Sequence, residues 1–460
     1  MSTQITRLTG EKQLPKEVFI KKLQQSSTIF DFSEESKDLK GKAERLDAIQ
    51  DLKDMLNELK YLNSFFIPHI ELVFEMIQKC LFRPLILHIK QKSEIEVGKE
   101  EDEVYRDPAW THYQGIYEIL LKIVINDSID VKNLKMLVNI NFIHNFIELL
   151  NSEEVREREY VKTILHRLYA KIIPRRKIIR KAMTDILLTM VHEDVKFNGA
   201  NELLEIWSSL IGGFAVPLRT EHLKFFDDII VPLHKVHNSQ VFHEKLQRCS
   251  VLYIGKDPEL ALRLLKGILR YWPFGNSIKE TLFIDEVNYI LEFYEVNGIE
   301  EIVTLLLKRI FLCISGPHLQ VSDRAMLFFE KEYFLTIIRN HKDIAFPLFV
   351  PTVSDLAETH WYKIIQDSFV VIKNTLKEID SVLFEKVLSE NSRIENFQNS
   401  MHNNQSRNDQ ENKWFKILKL AKKLEPSLQE PVLPYIDTHV VGLNNRNGAT
   451  IHSNLLIPPT

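Results

Sequence analysis

The stretch DPELALRLLKGILRYWPFGNSIKETLFIDEVNYILEFY, residues 257–294, contains two apolar, periodic segments that are separated by the sequence YWPFGN. Within each segment, apolar residues recur at three- and four-residue spacing, which places them on one face of an α-helix. The Pro and Gly between the segments interrupt regular structure. The stretch therefore predicts two amphipathic helices that are joined by a short turn.

The same pattern recurs along the chain. The segments DPELALRLLKGILRYWP, GIEEIVTLLLKRIFLCISG and HKDIAFPLFVPTV begin at Asp257, Gly298 and His341, and a second helix fits between each pair. A spacing of roughly forty residues is typical of HEAT and armadillo arrays. We expect an all-α fold, an α-solenoid of HEAT/armadillo-like helical repeats, whose stacked pairs share one core and leave an elongated surface for partners. The alternative is a globular helical domain in which the period is coincidental.

Composition agrees with a helical protein and limits its function. The chain has 460 residues, of which 45% are hydrophobic and only 14 are Gly, so it can bury a large core but has few turn-forming residues. Its 59 Lys and Arg nearly balance its 63 Asp and Glu, which gives a net charge of -4. The chain is therefore not a polyanion binder by bulk charge, and any anion site must be local.

No targeting or membrane segment is expected. The N-terminal sequence has no apolar signal-peptide core, and no apolar run approaches the roughly 20 residues that span a bilayer. Cys80, Cys249 and Cys313 are isolated, so the sequence supports neither a disulfide framework nor a zinc knuckle. This cysteine usage fits a reducing compartment, and we expect a cytoplasmic and/or nuclear protein.

The two ends of the chain differ in composition from the middle. A charged stretch from His88 predicts a loop, and the sequence from Asn396 is rich in Asn and Gln, with too little apolar surface to fold. The predicted organisation is a disordered N-terminus (1–16), a HEAT-like α-solenoid (17–392), an Asn/Gln-rich linker (393–412), a short helix (413–424) and a disordered tail (425–460). None of the end segments carries recognisable chemistry.

The motifs that usually accompany catalysis are missing from the sequence. It contains no phosphate-binding glycine loop, no H-E-x-x-H, no G-x-S-x-G and no EF-hand loop. His234, His237 and His243 form the one cluster that resembles a metal site, but no carboxylate or thiolate supports it in the sequence, so packing or surface roles are favoured. We therefore expect no enzyme activity, no metal and no cofactor.

A strongly basic stretch, KTILHRLYAKIIPRRKIIRKAM, spans residues 162–183. Lys162, His166 and Tyr169 are spaced i, i+4, i+7 and share one helical face, with Arg167 beside them. The stretch therefore predicts a helix that presents cations and an aromatic ring on the same side.

Residues further along the chain would line the same groove if successive repeats place their faces side by side. Arg176 follows Pro174, which suits the first position of a helix. The others are an apolar i, i+4 pair and two basic residues after a proline: Ile206, Leu210, Arg219 and His222. Such a groove suits an extended peptide with apolar anchors and an acidic or phosphorylated residue. Two alternatives stay open, a solvated basic face and binding of an RNA backbone.

Several long blocks resemble one known family. They are REREYVKTILHRLYAKI, NGANELLEIWSSLIGGFAVPLRTEHLKFF, VPLHKVHNSQVFHEKL, LLKGILRYWPFGNSIKETLFIDEV, ISGPHLQVSDRAMLFFEKEY and ETHWYKII. Together they resemble the B-prime family of protein phosphatase 2A regulatory subunits. The resemblance covers roughly residues 17–390 in order, which is more specific than any single motif.

The resemblance implies a non-catalytic subunit. Members of the family join a scaffold subunit and a metal-dependent Ser/Thr phosphatase subunit, and they select client proteins that carry an L-x-x-I-x-E motif. It implies neither a membrane nor a nucleic-acid partner. The alternatives are a helical-repeat peptide adaptor that has lost the phosphatase, and an RNA-binding solenoid.

The resemblance also assigns a docking groove, which we define by its ten residues: Lys162, Thr163, His166, Arg167, Tyr169, Arg176, Ile206, Leu210, Arg219 and His222. Tyr169, Ile206 and Leu210 would form parts of the apolar pockets, and the basic members would receive the acidic end and any phosphate. The family more often has Ile at position 210, and many members have Lys at position 219. The segment IDEVNYILE, residues 284–292, has lost acidic residues of the family pattern N-E-L-E-E-I-L-D, so persistence of a second, acidic docking patch is left open.

Overall fold

A computed structural model of the chain describes residues 16–32, 37–85, 105–294, 296 and 298–394. These residues are mostly α-helical, and no β-strand occurs among them. The helices are α1 (Lys16–Ser26), α2 (Leu39–Asn57), α3 (Leu59–Tyr61), α4 (Ile70–Leu81), α5 (Trp110–Ile125), α6 (Val131–Leu137), α7 (Ile140–Glu148), α8 (Val155–Lys171), α9 (Arg176–Glu193), α10 (Ala200–Gly212), α11 (Thr220–Phe225), α12 (Val231–Leu233), α13 (His243–Ile254), α14 (Leu260–Arg270), α15 (Ser277–Phe293), α16 (Val303–Ile314), α17 (Leu319–Met326), α18 (Glu332–Asn340), α19 (Lys342–Thr359) and α20 (Lys363–Ile379). The predicted all-α fold is confirmed.

Up to Asp380 the chain forms one compact unit, in which the helices stack as two layers. In one layer α2, α5, α8, α10, α13, α15, α17 and α20 contact each other in that order. In the other layer the order is α1, α4, α7, α9, α12, α14, α16 and α19, with Phe74 of α4 packed on Phe142 of α7. Each repeat is thus one helix from each layer, as a stacked helical-repeat array requires. The array excludes the alternative of a coincidental period.

The stretch that predicted the fold forms α14 and α15. The Asn276 side chain accepts a hydrogen bond from Lys279 N at 3.1 Å and caps the first turn of α15. In the turn, the ring of Trp272 packs edge-on to Phe283 at 5.8 Å between centroids. The two helices turn their periodic apolar faces inward and bury Leu260, Leu264, Leu265, Ile268, Leu269, Phe283, Ile284, Val287, Ile290 and Leu291.

Close backbone approach between neighbouring repeats occurs at Gly267. A Cβ atom built on this residue of α14 would lie 2.1 Å from Cγ1 of Val231 in α12, well inside van der Waals contact. Only a residue without a side chain allows α14 and α12 to approach so closely. Gly267 therefore sets the spacing of two consecutive repeats.

The sequence expectations for the cysteines, for membrane helices and for the two ends of the chain concern residues that the structure describes only in part. Cys80, Cys249 and Cys313 are buried and form no disulfide. In the described ranges no helix is both long and apolar enough to cross a membrane. A further helical stretch covers residues 381–394. The predicted disordered N-terminus (1–16, except Lys16), the Asn/Gln-rich linker beyond residue 394, the short helix, the tail and most of the charged loop lie outside the described residues.

Two of the three clustered histidines form a buried ionic contact between repeats. His234 follows α12, and its Nε2 lies 3.2 Å from Oε2 of Glu286 in α15. Nε2 of His243, in α13, lies 3.1 Å from the same oxygen. All three side chains are essentially inaccessible to solvent, whereas His237 is exposed. The carboxylate that supports these histidines is distant in sequence, and the part of the chain that the structure describes has no group of His, Cys, Asp and Glu arranged to hold a metal ion.

The charge state of this contact follows from its surroundings. Burial alone would raise the pKa of Glu286, but the charge and hydrogen bond of His234, together with the nearby His243, lower it to about 2. Burial alone would lower the pKa of His234, but Glu286 and two backbone carbonyls raise it. A buried carboxylate and an imidazolium therefore neutralise each other between two repeats.

Replacing Glu286 by Gln should lower the free energy of unfolding by about 3 to 5 kcal/mol at pH 6, because the buried imidazolium loses its counter-charge. The raised pKa of His234 means that its contribution is complete below the pKa of an unfolded histidine, about 6.5, and is lost as the pH rises through the folded-state pKa. The effect of Glu286→Gln should therefore shrink at alkaline pH. Urea denaturation followed by circular dichroism measures both quantities.

Glu292→Gln is the matched control, because Glu292 lies on the same helix and its ion pair with Lys331, at 2.9 Å, is exposed. An exposed pair of this kind contributes less than about 1 kcal/mol. Equal losses in the two variants, or a Glu286→Gln effect that does not depend on pH, would contradict the buried ionic contact.

Candidate peptide-docking site

The ten residues of the docking groove lie on four consecutive helices and the turns between them. Helices α8 and α10 are neighbours in one layer, α9 belongs to the other, and α11 runs on through residues 226–230 into α12 of that second layer. The groove therefore involves three successive repeats. Helix α8 carries Lys162, Thr163, His166, Arg167 and Tyr169, Arg176 begins α9, α10 carries Ile206 and Leu210, Arg219 precedes α11, and His222 lies within α11.

Lys162 connects α8 to α10. Its Nζ lies 2.8 Å from Oε2 of Glu159 on its own helix and 3.0 Å from Oε2 of Glu205 on α10. Burial lowers the pKa of Lys162, but the hydrogen bonds and charges of the two carboxylates outweigh burial and raise it. Lys162 is therefore a charged residue that is already engaged by two carboxylates.

The next turn of α8 carries exposed side chains. The Thr163 hydroxyl donates to the Glu159 carbonyl at 2.8 Å, as is common for a helical Thr. His166 and Arg167 are exposed, and neither side chain forms a hydrogen bond or ion pair with any described residue. The charge of Arg167 is thus accessible and uncompensated.

Tyr169 lies at the centre of an arginine cluster. Nε of Arg176 donates to the Tyr169 carbonyl at 2.9 Å, and its Nη2 donates to the Ala170 carbonyl at 3.1 Å. The same guanidinium lies 5.2 Å from the centroid of the Tyr169 ring. Nη1 of Arg180 donates to the Tyr169 hydroxyl at 2.9 Å. Arg176 thereby satisfies carbonyls at the C-terminal end of α8, where a cation is favoured by the helix dipole.

Ile206 and Leu210 lie mostly in the core. Their exposed fractions are 2% and 9%, so in a docking groove they would form the floor rather than project from it. Both lie on α10, one turn apart, as the sequence spacing predicted. Their contribution to apolar pockets stays a prediction.

The imidazole ring of His222 is held in place by aromatic stacking. Its ring stacks on Phe214 with 3.7 Å between centroids and 2° between the planes. Burial and the nearby charges of Arg219 and Arg180 lower the pKa of His222, and Glu221 only partly opposes them. His222 is therefore a neutral hydrogen-bonding group at pH 7, although the sequence pattern groups it with the cations. Arg219 is exposed and has no hydrogen bond or ion pair within the described ranges.

Two residues adjoining the groove were not selected from the sequence. Arg180 lies in the basic stretch, four residues after Arg176 on the same helix. Helical spacing places it beside Arg176 and therefore near Tyr169. Trp207 is 3% exposed and stacks on Phe225 at 4.0 Å. Nothing in the local sequence distinguishes this Trp from a core residue, because its neighbours come from another helix.

The surface of α15 has little free negative charge. Asp285 pairs with Arg324 of α17, whose Nη2 lies 2.9 Å from Oδ2. Glu292 pairs with Lys331, and Glu286 is buried. The carboxylates that remain in residues 284–292 are therefore engaged within the chain. This surface also exposes two aromatic residues, Tyr289 and Phe293, with ring centroids 4.7 Å apart.

The fold and the groove define a class of protein, an α-helical-repeat protein with accessible cations on its central repeats. Comparison with known proteins narrows this class. Residues 9–421 match the family model described as "Protein phosphatase 2A regulatory B subunit (B56 family)". The chain belongs to this family, and the resemblance to B-prime regulatory subunits is confirmed.

Named relatives come from distant organisms. The chain is 34% identical over 377 residues to the delta 2 isoform of the protein phosphatase 2A 56 kDa regulatory subunit of Schizosaccharomyces pombe; the match covers 82% of this chain and 59% of that protein. It is 34% identical to the beta isoform of the human 56 kDa regulatory subunit, over 81% of this chain and 73% of the relative. It is 35% identical to the delta isoform of the 56 kDa regulatory subunit of Saccharomyces cerevisiae, over 76% of this chain and 45% of the relative. The family is thus one of regulatory, not catalytic, subunits.

The contacts of the two arginines predict different effects on stability. Arg176→Ala should lower the free energy of unfolding by about 1 to 3 kcal/mol, because it removes two charged hydrogen bonds from the end of α8. Arg167→Ala should change it by about 0.5 kcal/mol or less, because Arg167 has no partner among the described residues. Urea denaturation of both variants checks this. A large loss in Arg167→Ala would show that Arg167 is part of the fold and not an accessible cation.

Proposed function

We propose that this chain is a non-catalytic regulatory and substrate-targeting subunit of a protein phosphatase 2A holoenzyme. In this proposal it binds a scaffold subunit and a Ser/Thr phosphatase catalytic subunit, and it docks client proteins that carry L-x-x-I-x-E-type motifs. Membership of the B56 family supports the regulatory role. We place the protein in the cytoplasm and/or the nucleus.

One observation carries the docking function. Arg167 and Arg219 are accessible cations that have no partners in the described ranges. They belong to the same group of helices and turns as Ile206 and Leu210, which would form the apolar floor of the groove. The apolar floor would receive the Leu and Ile of an extended peptide, and the cations would receive its acidic residue. Lys162 is less available to the peptide, since Glu159 and Glu205 already bind it.

The expected binding energy combines two contributions. Each aliphatic anchor that becomes buried contributes on the order of 1.5 to 3 kcal/mol. Arginine binds carboxylate and phosphate through paired hydrogen bonds, and exposed charges of this kind are screened by salt. Affinity should therefore be modest, should depend on both anchors and should fall as ionic strength rises.

Docking would act on dephosphorylation without any catalytic residue in this chain. A client bound to the groove is held near the catalytic subunit, so its phosphorylated residues meet the phosphatase at a raised effective concentration. The contribution of the chain is thus selection of substrates by tethering. Purified chain, free of phosphatase, should not turn over phosphopeptides.

Fluorescence polarisation with a labelled L-x-x-I-x-E peptide tests the groove. Binding should be saturable, and Arg167→Ala should weaken it about tenfold, because a charged hydrogen bond contributes about 1.5 to 3 kcal/mol before screening. An Ile→Ala peptide should weaken it at least as much. Raising the salt concentration should reduce the affinity of the unmodified protein and reduce the effect of Arg167→Ala.

Arg270→Ala is the matched protein control, because Arg270 is an exposed arginine on α14, outside the groove. It should leave the affinity unchanged. Binding that ignores both Arg167→Ala and the Ile→Ala peptide would reject the groove. Competition by RNA at low salt, with loss of RNA binding in Arg167→Ala, would instead favour the RNA-binding alternative.

Assembly tests the other half of the proposal. Mixed with purified scaffold and catalytic subunits of protein phosphatase 2A, the chain should co-elute with both as a heterotrimer on gel filtration. Co-elution should survive Arg167→Ala, which affects only client docking. Peptide binding without co-elution would identify a peptide adaptor that lacks the phosphatase.

A further inference from the structure

Helices α11 and α12 are parts of one continuous helix. A π-helical segment, Phe226–Ile230, joins them without a break. We call the whole element, residues 220–233, the α11–α12 helix. Arg219 of the docking groove precedes its first residue, and the buried His234 follows its last residue. The helix therefore connects the groove to the buried ionic contact, over about 20 Å at 1.5 Å per residue.

Both ring nitrogens of His234 face hydrogen-bond acceptors. Nδ1 lies 3.1 Å from the carbonyl oxygen of Ile230 and 3.0 Å from that of Val231, at the end of its own helix. Nε2 lies 3.2 Å from Oε2 of Glu286 in α15. Only an imidazolium carries an N–H on each nitrogen, so only the charged ring can donate on both sides. A neutral ring would leave one buried lone pair facing a buried oxygen, which is costly.

His243 does not need a second proton. Its Nε2 lies 3.1 Å from the same carboxylate oxygen of Glu286, whereas its Nδ1 has no partner among the described residues. A neutral ring with its N–H on Nε2 satisfies this geometry. The proton whose loss breaks a contact of the cluster is therefore on His234.

The other charged groups near His234 come from the elements packed around it. Helix α14 also contacts α12, but it buries only apolar residues. Nζ of Lys279 donates to the Val236 carbonyl at 2.7 Å, and burial lowers the pKa of Lys279 to about 8. Lys279 is thus a second group that titrates above neutral pH. The full set is His243 of α13, Glu286 and Lys279 of α15, Asp194 after α9, and the exposed Lys235 and His237 of the following turn.

The α11–α12 helix can carry an effect from one end to the other. Helix formation is cooperative, so release of its last turn lowers the stability of the turns before it. The segment between its ends is π-helical, a rare geometry that often occurs at functional sites. Near the groove, the carbonyl of His222 accepts a hydrogen bond from the Tyr253 hydroxyl at 3.2 Å. Opening of the helix therefore affects the position of His222.

From this geometry we propose that His234 is a proton-dependent switch that controls the order of the α11–α12 helix, including its end at the docking groove. While both ring nitrogens carry protons, the end of the helix is bound to α15 through Glu286. Loss of one proton releases either the carboxylate or the helix carbonyls, and the helix then opens more readily. Arg219 and His222 are consequently held in place less well at alkaline pH. The consequence for client docking rests on the function proposed above.

Hydrogen exchange of the unmodified protein, followed by mass spectrometry from pH 6 to pH 9.5, tests the switch. Burial lowers the pKa of His234, but Glu286 and two backbone carbonyls outweigh burial and raise it, so the transition should lie above about pH 6.5. Once corrected for intrinsic exchange, peptides covering 222–233 should exchange about tenfold faster above the transition, the size expected from loss of one charged hydrogen bond. Peptides of α5 should not change. No transition in 222–233, or one confined to residues after 229, would overturn the proposal.

Variants identify the group that titrates. His234→Gln keeps one donor for Glu286 but has no second one for the carbonyls, so its helix should exchange rapidly at every pH, without a transition. Lys279→Met removes the other titrating group and should keep the transition, as should Glu292→Gln on the surface of α15. A transition that persists in His234→Gln, or disappears in Lys279→Met, would reject the assignment. If His234→Gln does not fold, Glu286→Gln replaces it and should move the transition to lower pH, because the counter-charge is lost.

Peptide binding tests the control of the groove. Affinity for the unphosphorylated L-x-x-I-x-E peptide should fall over the same pH range as the exchange transition, and should not vary there in His234→Gln. The lowered pKa of His222 places its own titration below this range. An exchange transition without any change in affinity would reject control of docking. If the peptide does not bind at any pH, the docking function fails, and the exchange experiment still decides whether His234 is a switch.

Discussion

Burial of apolar surface between successive helix pairs is the constraint on which the structure depends. A pair such as α14 and α15 turns leucines, isoleucines and phenylalanines inward, and these faces are covered only when the pairs before and after it are in place. Gly267 against Val231 shows how closely the repeats must approach. The same stacking places α8 beside α10 and brings residues some forty positions apart onto one surface, for example Lys162 and Glu205. The groove is thus a product of the period of the array.

Electrostatics divides the basic residues of the central repeats into two groups. Some serve the fold: Arg176 binds carbonyls at the end of α8, and Lys162 joins α8 to α10 through Glu205. Others have no partner among the described residues, including Arg167, Arg219 and Lys181. Surface cations without partners contribute little to stability, so folding does not account for this second group, which lies between α8 and α11. The difference matters for mutagenesis, since only substitutions in the second group report on binding alone.

Local pattern was sufficient to predict the fold, because a three- to four-residue apolar spacing that recurs about every forty residues has few other physical explanations. The spacing also placed Lys162, His166 and Tyr169 on one helix, and Ile206 and Leu210 one turn apart on another. It could not show that Lys162 is bound by Glu205, that His222 is neutral, or that Trp207 stacks on Phe225, because each depends on residues from a different helix. The contact of His234 and His243 with Glu286 was missed for the same reason: its carboxylate is more than forty residues away in the sequence.

The ion pairs that cross from one repeat to the next have a mechanical consequence. Three of these pairs connect neighbours within a layer: Arg158 to Glu202, Lys162 to Glu205, and Arg324 to Asp285. A fourth joins Lys331, just before α18, to Glu292 of α15. Where these pairs occur, they act together with the apolar contacts against separation of neighbouring repeats, and the junctions of a stacked array act in series. In such a series small angular displacements at each junction add along the array, so that distant parts of the unit can adjust to one another while each repeat stays intact.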